Sequence, residues 1–212
     1  MKNERFFSIK TDCSAEITIE KSKFITSVKR VDGEDEAKAF VSSVRAKYKD
    51  ATHNCYAYIA DNGGFFAKFS DDGEPQGTAG LPMLEVLKQK GLRRVAAVVT
   101  RYFGGIKLGT GGLSRAYSES VKNCLEKSGI SEFIYSCFLK AEVSFQVYPK
   151  ISAYLSGEKT SFINSVFNDN GATITFAVPV EDFEKIKAKV ADLSAGKSQI
   201  FTIKQEYSEY KT

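Results

Sequence analysis

The stretch VVTRYFGGIKLGTGGLSRAY, residues 98–117, decides how the chain is interpreted. It starts inside an apolar run that is typical of a buried central strand, and it ends in a pattern that is typical of an amphipathic helix. Between them, five of the nine residues from 104 to 112 are glycine, namely Gly104, Gly105, Gly109, Gly111 and Gly112. Because each ordered glycine loses much conformational entropy, so many glycines in one connection need a physical reason.

The spacing of these glycines excludes the two common nucleotide-binding loops. Thr110 stands where a Walker A loop needs lysine, and Ser114 stands where a dinucleotide fingerprint needs its third glycine. Glycine does let other atoms approach main-chain N–H groups, and the first N–H groups of a helix have no partner within it. The pattern therefore predicts an anion-binding site formed by these N–H groups together with Arg101, Lys107 and Arg115. The alternative is a tight turn whose glycines serve only close packing.

The net charge of +4 is unevenly distributed along the chain. Residues 138–212 carry nine basic and nine acidic side chains, so the whole excess lies in the first 137 residues, where 21 basic side chains face 17 acidic ones. Between residues 88 and 115 there are seven basic residues and no acidic one. Such a segment favours phosphate, RNA or an acidic protein surface as a partner. A solvated basic surface without a ligand is the alternative.

A second notable segment, SDDGEPQGTAGLP at residues 70–82, brings three carboxylates together. Asp71, Asp72 and Glu74 could supply oxygen ligands to magnesium. A turn rich in Asp, Gly and Pro explains the same composition without a metal. In a further interpretation the loop pairs with Arg101 or Arg115 and thereby supports the glycine run. We expect no bound metal and no cofactor.

The segment ATHNCYAY, residues 51–58, contains the only histidine of the chain. His53 is two residues from Cys55, a pairing that could form an activated nucleophile, but no orienting group is evident, so we interpret His53 as structural. On the opposite side of the predicted strand, Tyr56 and Tyr58 are candidates for stacking on nucleobases at the surface.

The periodicity of the chain predicts an α+β protein of two domains, residues 1–132 and 137–212. The first domain has a β-α-β organisation, and its third helix is expected to begin near Gly112 or Leu113 and to end at Gly129. After Gly129 the order of elements changes to β-α-β-β-α-β, which is the ferredoxin-like arrangement.

Composition argues for a cytoplasmic protein without a membrane partner. The chain has no apolar run near the roughly 18 residues that a membrane span needs, and its start has no signal-peptide core or cleavage site. Its four cysteines have no metal-binding spacing and are expected to be reduced thiols.

Four segments together resemble the IMPACT family, in its bacterial YigZ-like branch: KSKFIT at residues 21–26, the histidine segment, the acidic loop and the opening stretch. The resemblance covers most of the first 130 residues. It implies a first domain similar to domain IV of elongation factor G and a tail similar to its domain V. Carried over by motif, the signature residues are Arg101, Tyr102, Gly104, Gly105, Lys107, Gly109, Gly112 and Arg115 in one block, and Asp71, Asp72, Gly73, Glu74 and Pro75 in the other.

The resemblance also directs the choice of function. Eukaryotic members of the family are linked to translational control through the kinase that senses amino-acid starvation, but they carry a different additional domain, so that mechanism is not transferred. For bacterial members the family implies no settled reaction. We therefore interpret the chain first as a non-enzymatic binding protein associated with translation, which contacts RNA, a ribosome-associated partner or another phosphate-bearing ligand.

Two alternatives belong to other classes. One is a magnesium-dependent enzyme acting on a phosphorylated small molecule, with the acidic loop holding the metal. The other is a protein–protein adaptor that uses the acidic loop and exposed tyrosines. The oligomeric state is left open by the sequence.

Overall fold

The computed structural model describes residues 5–210, with the backbone only at residues 162 and 163. In this range ten strands and five α-helices form a mixed α+β structure with two sheets, which confirms the predicted α+β class. The chain divides into two compact units, one from Phe6 to Ser131 and one that takes in Arg5 and resumes at Glu132. The predicted domains, 1–132 and 137–212, include residues 1–4 and 211–212, which lie outside the described residues.

The first unit contains an antiparallel sheet in the order β2-β3-β6-β4-β5. Strand β1 (Arg5–Ile9) precedes this sheet in the chain. The sheet itself is formed by β2 (Cys13–Ile19), β3 (Ser22–Arg30), β4 (His53–Ile59), β5 (Ala67–Ser70) and β6 (Val95–Tyr102). The central strand β6 is buried from Val95 to Thr100, so the prediction of a buried central strand is confirmed.

Helices cover both faces of this sheet, which explains why β6 is apolar without alternation. On one face, α1 (Glu34–Lys47) packs in small clusters with Ala96 and Val98. On the other face, α2 (Gly80–Gln89) and α3 (Gly109–Ser128) pack with Ala97 and Val99 in the largest cluster of buried side chains in the described chain.

Helix α3 begins three residues earlier than the sequence predicts. The low helix propensity of glycine favoured a start near Gly112, whereas the structure starts the helix at Gly109. The apolar face formed by Leu113 and Tyr117 is buried in the core and stabilises the first turn despite its composition. The predicted end is confirmed, because Gly129 caps the helix with a φ of 68°.

The second unit has the element order β7-α4-β8-β9-α5-β10. Its elements are β7 (Ile130–Val143), α4 (Tyr148–Gly157), β8 (Ser161–Asn168), β9 (Gly171–Pro179), α5 (Phe183–Leu193) and β10 (Gln199–Tyr210), with a 3-10 turn before α5. All the pairings of β7 with β9 and β10, and of β8 with β9, are antiparallel. Residues Leu139 and Phe176 of the sheet pack in one core with Ile151 and Ile186 of the two helices.

None of the helices within residues 5–210 is long and apolar enough to cross a membrane.

Candidate functional site

The first glycine of the run is required by close packing. A Cβ atom on Gly104 would lie 2.0 Å from the main-chain carbon and oxygen of Lys21, so no larger residue fits without moving the backbone. The N–H of Gly104 also donates to the Ser22 hydroxyl at 3.2 Å. The run is thereby anchored to the turn between β2 and β3.

The other glycines differ in what the fold demands of them. Gly105 and Gly109 have φ angles of 87° and 69°, in the left-handed region that favours glycine. A Cβ atom on Gly112 would lie 3.1 Å from the Cβ of Leu108, which is a tight contact. Gly111 is exposed, has no positive φ, and a Cβ there would only touch an Arg115 nitrogen at 3.7 Å. Within the described chain, nothing about packing or backbone conformation requires glycine at position 111.

The start of α3 leaves main-chain donors available. Leu108 occupies the N-cap position, and no side chain caps the helix. The N–H groups of Gly109, Thr110 and Gly111 therefore have no acceptor within the helix, and the helix dipole adds partial positive charge at this end. All three residues are exposed. This is an arrangement that can receive an anion.

Two exposed cations, Lys107 and Arg115, lie beside these donors. Neither takes part in an ion pair within residues 5–210. Both line a cleft of about 420 Å³, together with Gly112 and the carboxylates Glu20 and Glu119. The cleft is therefore of mixed charge.

A second cleft, of about 700 Å³, lies against α2 and α3 and shares Arg115 and Glu119 with the first. Lys122, Glu85 and the Ser114 hydroxyl also line it. Among the residues of the predicted anion site, Arg115 is the one that lines both clefts. It lies in the second turn of α3.

The structure does not bring Arg101 to the surface with Lys107 and Arg115. Expected from the sequence as a third binding cation, Arg101 is buried: its guanidinium donates to the Glu74 carboxylate at 2.7 Å and to the Ser22 hydroxyl at 3.3 Å. Only 6% of its side chain is exposed, and only 3% of that of Glu74. Because Glu74 compensates its charge inside the protein, Arg101 is removed from the candidate set of surface cations.

The carboxylate of Asp71 is used to organise the acidic loop. It accepts hydrogen bonds from the main-chain N–H groups of Gly77 at 2.8 Å, Ala79 at 3.0 Å and Gly80 at 2.8 Å. Two of these donors are at the start of α2, where an acceptor is needed. Asp71 thus satisfies main-chain donors rather than presenting its oxygens to a ligand.

Asp72 and Glu74 also have partners inside the protein. Asp72 accepts from the Arg45 guanidinium at 2.5 Å and from the N–H of Asn54 at 2.7 Å. Within residues 5–210, no group of three or more His, Cys, Asp or Glu side chains is placed to hold a metal ion. These contacts agree with the ion-pair interpretation of the loop, through Glu74 and Arg101.

A buried polar network behind the glycine run was missed from the sequence. The Tyr117 hydroxyl donates to Glu74 at 2.7 Å, and the Cys55 sulfur lies 3.3 Å from that hydroxyl. The periodicity assigned Tyr117 only to the apolar face of α3. The one available signal was that a buried tyrosine hydroxyl needs a polar partner.

The His53–Cys55 pairing does not form an activated nucleophile. Burial raises the pKa of the Cys55 thiol to about 12, so the thiol is protonated at neutral pH and unreactive. The His53 Nδ1 atom is 2.8 Å from the main-chain oxygen of Asp72, which orients the ring toward the acidic loop. The structural interpretation of His53 agrees with this geometry.

The expectation that Tyr58 lies at the surface is wrong. Only 2% of Tyr58 is exposed, because α1 covers this face of the sheet. Its hydroxyl donates to the Glu34 carboxylate at 3.2 Å. Tyr56 is half-buried, with the Tyr58 ring 5.8 Å away in a parallel stack and the Arg45 guanidinium 5.4 Å from its centroid.

Comparison with known proteins identifies the family. Residues 20–125 match the Impact N-terminal domain, a range that contains the glycine run and the acidic loop. The chain is 40% identical over 197 residues to IMPACT family member YvyE of Bacillus subtilis (strain 168), covering 92% of this chain and 89% of that relative. This chain belongs to the IMPACT family.

A second relative and a solved structure also match most of the chain. Identity to IMPACT family member YigZ of Escherichia coli (strain K12) is 39% over 195 residues, covering 88% of this chain and 92% of that protein. A crystal structure of a hypothetical protein is 36% identical and superposes with a TM-score of 0.61 over 96% of this chain and 99% of that one. The predicted resemblance to the IMPACT family is therefore confirmed.

Proposed function

We propose that this IMPACT-family chain is a cytoplasmic, non-enzymatic binding protein associated with translation, and that its glycine run binds a phosphate group of RNA. The observation that carries the proposal is that the uncapped start of α3 follows Lys107 directly in the chain and lies close to Arg115, one of whose guanidinium nitrogens is 3.7 Å from the Cβ position of Gly111. Main-chain N–H groups at a helix start and flexible cations beside them are a common solution for binding phosphate.

Gly111 supports the same proposal. The other four glycines have a structural reason within the chain, whereas a Cβ atom at position 111 would meet only an Arg115 nitrogen at 3.7 Å. A ligand that approaches the N–H groups of the first turn would give a reason for the missing side chain. RNA, alone or within a ribosome-associated partner, is the ligand we favour because the basic excess of the chain lies in its first 137 residues.

We propose the finer architecture together with the function. The first domain, residues 1–132, would be similar to domain IV of elongation factor G, and the second, residues 137–212, would be ferredoxin-like. The element order from β7 to β10 and the division between Ser131 and Glu132 support this assignment.

A phosphorylated small molecule is a second ligand class for the same place. The clefts of about 420 and 700 Å³ have the volumes of small-molecule sites, and Arg115 lines both. The magnesium-dependent enzyme has less support, because the Asp71, Asp72 and Glu74 carboxylates already have protein donors.

A protein–protein adaptor is favoured by one observation, at the turn between β4 and β5. Phe65 is 89% exposed and Phe66 is 62% exposed, and the Asp61 carboxylate fixes this turn by accepting from both of their N–H groups. Ordered, exposed apolar groups suit a protein contact. A complex that survives nuclease and high salt, and that is lost in Phe65→Ser, would support this function.

The main proposal is tested by the salt dependence of RNA binding. Fluorescence anisotropy with a labelled RNA hairpin should show affinity that falls steeply between about 50 and 200 mM salt. Lys107→Ala and Arg115→Ala should each lower the slope of log affinity against log salt by about 0.7 to 0.9. Lys127→Ala is the matched control, since it removes an exposed cation from the last turn of the 20-residue helix α3, about 27 Å along the helix axis from Gly109. Absence of binding at low salt, or binding indifferent to salt, would refute the proposal.

A further inference from the structure

Phe103 is the first residue after β6 and presents an exposed aromatic ring directly before the glycine run. The residue is 47% exposed, although its main chain is fixed by a hydrogen bond of 3.1 Å from its N–H to the Thr52 hydroxyl. An ordered and exposed aromatic ring at the entrance to a cationic loop is a feature that the packing of the domain does not explain.

The ring is the outer member of a layered arrangement. The Arg101 guanidinium carbon is 5.6 Å from the ring centroid of Phe24 and 5.5 Å from that of Phe103. Phe24 is fully buried, and Arg101 is nearly so and is neutralised by Glu74. The inner side of the Phe103 ring is therefore supported by a planar cation with a fixed position, and the remaining ring surface faces solvent.

Two exposed cations belong to the segments next to this ring. Gly104 lies against the main chain of Lys21, whose exposed side chain has no ion-pair partner within residues 5–210. Lys107 follows four residues after Phe103 and is equally exposed and unpaired in the described range. A flat apolar surface bordered by cations is complementary to a nucleotide, whose base is flat and whose phosphate is anionic.

We infer that the outer side of the Phe103 ring stacks on an unpaired base, so that the loop binds single-stranded or looped RNA in preference to continuous duplex. The inference rests on the proposed function and specifies its ligand. In a duplex the bases are stacked on one another and unavailable to a side chain, whereas unpaired bases stack readily on exposed aromatic rings. The inference assigns to Phe103 the stacking role that was expected of Tyr56 and Tyr58.

Two RNA probes of equal length test this inference, a single-stranded oligouridine and a blunt-ended duplex. The wild-type chain should bind the single strand more tightly. Phe103→Leu should weaken binding of the single strand about tenfold and leave the duplex unaffected. The salt slope should not change, because no phosphate contact is lost. Phe103→Tyr, which keeps the ring, should retain the wild-type affinity.

A measurement on the unmodified chain keeps the inference testable if Phe103→Leu is unstable. A single strand that carries 2-aminopurine should lose fluorescence when the wild-type chain binds it, because stacking quenches this base. Salt-dependent RNA binding without quenching, or with equal affinity of Phe103→Leu and wild type for the single strand, overturns the inference and leaves the proposed function standing. If neither RNA shows salt-dependent binding, both the inference and the proposed function are refuted.

Discussion

Glu74 accepts a hydrogen bond of 2.7 Å from Arg101 at a place where both side chains are almost completely buried. The contact joins the acidic loop after β5 to the end of β6, immediately before the glycine run. The same Glu74 oxygen accepts from the Tyr117 hydroxyl of α3 at 2.7 Å. Three segments that are distant in sequence therefore meet at one carboxylate, and the position of the glycine run depends on it.

The first prediction concerns this buried pair. Glu74→Gln should destabilise the fold by about 3–5 kcal/mol, because it leaves the Arg101 charge buried without compensation. The double variant Glu74→Gln with Arg101→Met should recover most of that loss, since neither charge remains. Urea unfolding measures both. Asp32→Asn is the control: it breaks an ion pair with Arg94 in which the Asp32 side chain is 73% exposed, and should change stability by less than about 1 kcal/mol. Equal stability of Glu74→Gln and Asp32→Asn would contradict the prediction.

The second prediction concerns Gly104. Gly104→Ala should destabilise the first unit by about 1–3 kcal/mol, because its Cβ atom would overlap the main chain of Lys21. Gly157→Ala is the matched control, since that helical glycine has open space around its Cβ position and no positive φ. The control should be neutral or slightly stabilising. Thermal unfolding of the two variants checks the difference, and unchanged stability of Gly104→Ala would show that the loop is not anchored there.

The third prediction concerns thiol reactivity. Burial raises the pKa of Cys55 and of Cys124 to about 12, and Cys137 is buried as well, whereas Cys13 is half-exposed. Because the thiolate is the reactive form, iodoacetamide at neutral pH should modify Cys13 first. Mass spectrometry of the native protein identifies the labelled residue, and urea should expose all four thiols to the reagent. Rapid native labelling of Cys55 would be inconsistent with the buried network.

The fourth prediction is a dependence of stability on pH that arises from Glu34. Hydrogen bonds from Lys68 and Lys38 lower the pKa of Glu34 to about 2, from an ordinary value of 4.5. A depressed pKa in the folded state stabilises the fold above pH 4.5, and this contribution is lost as the pH falls toward 2. The difference in thermal midpoint between wild type and Glu34→Gln should therefore shrink across that window. A difference in thermal midpoint that stays constant from pH 4.5 to pH 2 would show that these hydrogen bonds do not persist in solution.

The sequence was sufficient to predict the central strand and the end of α3. A run of apolar residues without alternation is buried on both faces wherever it lies in a sheet, and β6 is such a case. Gly129 ends α3 because its left-handed φ closes the last turn, which is a local effect. In both cases the residues of the segment itself carry the signal.

The sequence was not sufficient where a distant segment decides the environment. Alternation along β4 placed Tyr58 on the side opposite Cys55, but only the structure shows that α1 covers that side. The sequence allows Arg101 to be either a surface cation or a partner of the acidic loop, and only the structure shows that its guanidinium pairs with Glu74, 27 residues away in sequence. Composition alone does not distinguish the five glycines of the run. The distances around their Cβ positions show that close packing requires glycine at position 104 and not at position 111.

The last prediction uses Gly111 to separate folding from binding. Gly111→Ala should leave the fold as stable as wild type or stabilise it by up to about 1 kcal/mol, since alanine is the better helix former and the new Cβ meets only Arg115 at 3.7 Å. Side chains in a helix lean toward its start, so that Cβ would occupy space beside the N–H groups that the phosphate is proposed to approach. RNA affinity at low salt should fall about tenfold, equivalent to about 1.4 kcal/mol. Gly157→Ala, in α4 of the other unit, should not alter affinity. A stable Gly111→Ala that binds RNA like wild type would show that the phosphate does not lie at the start of α3.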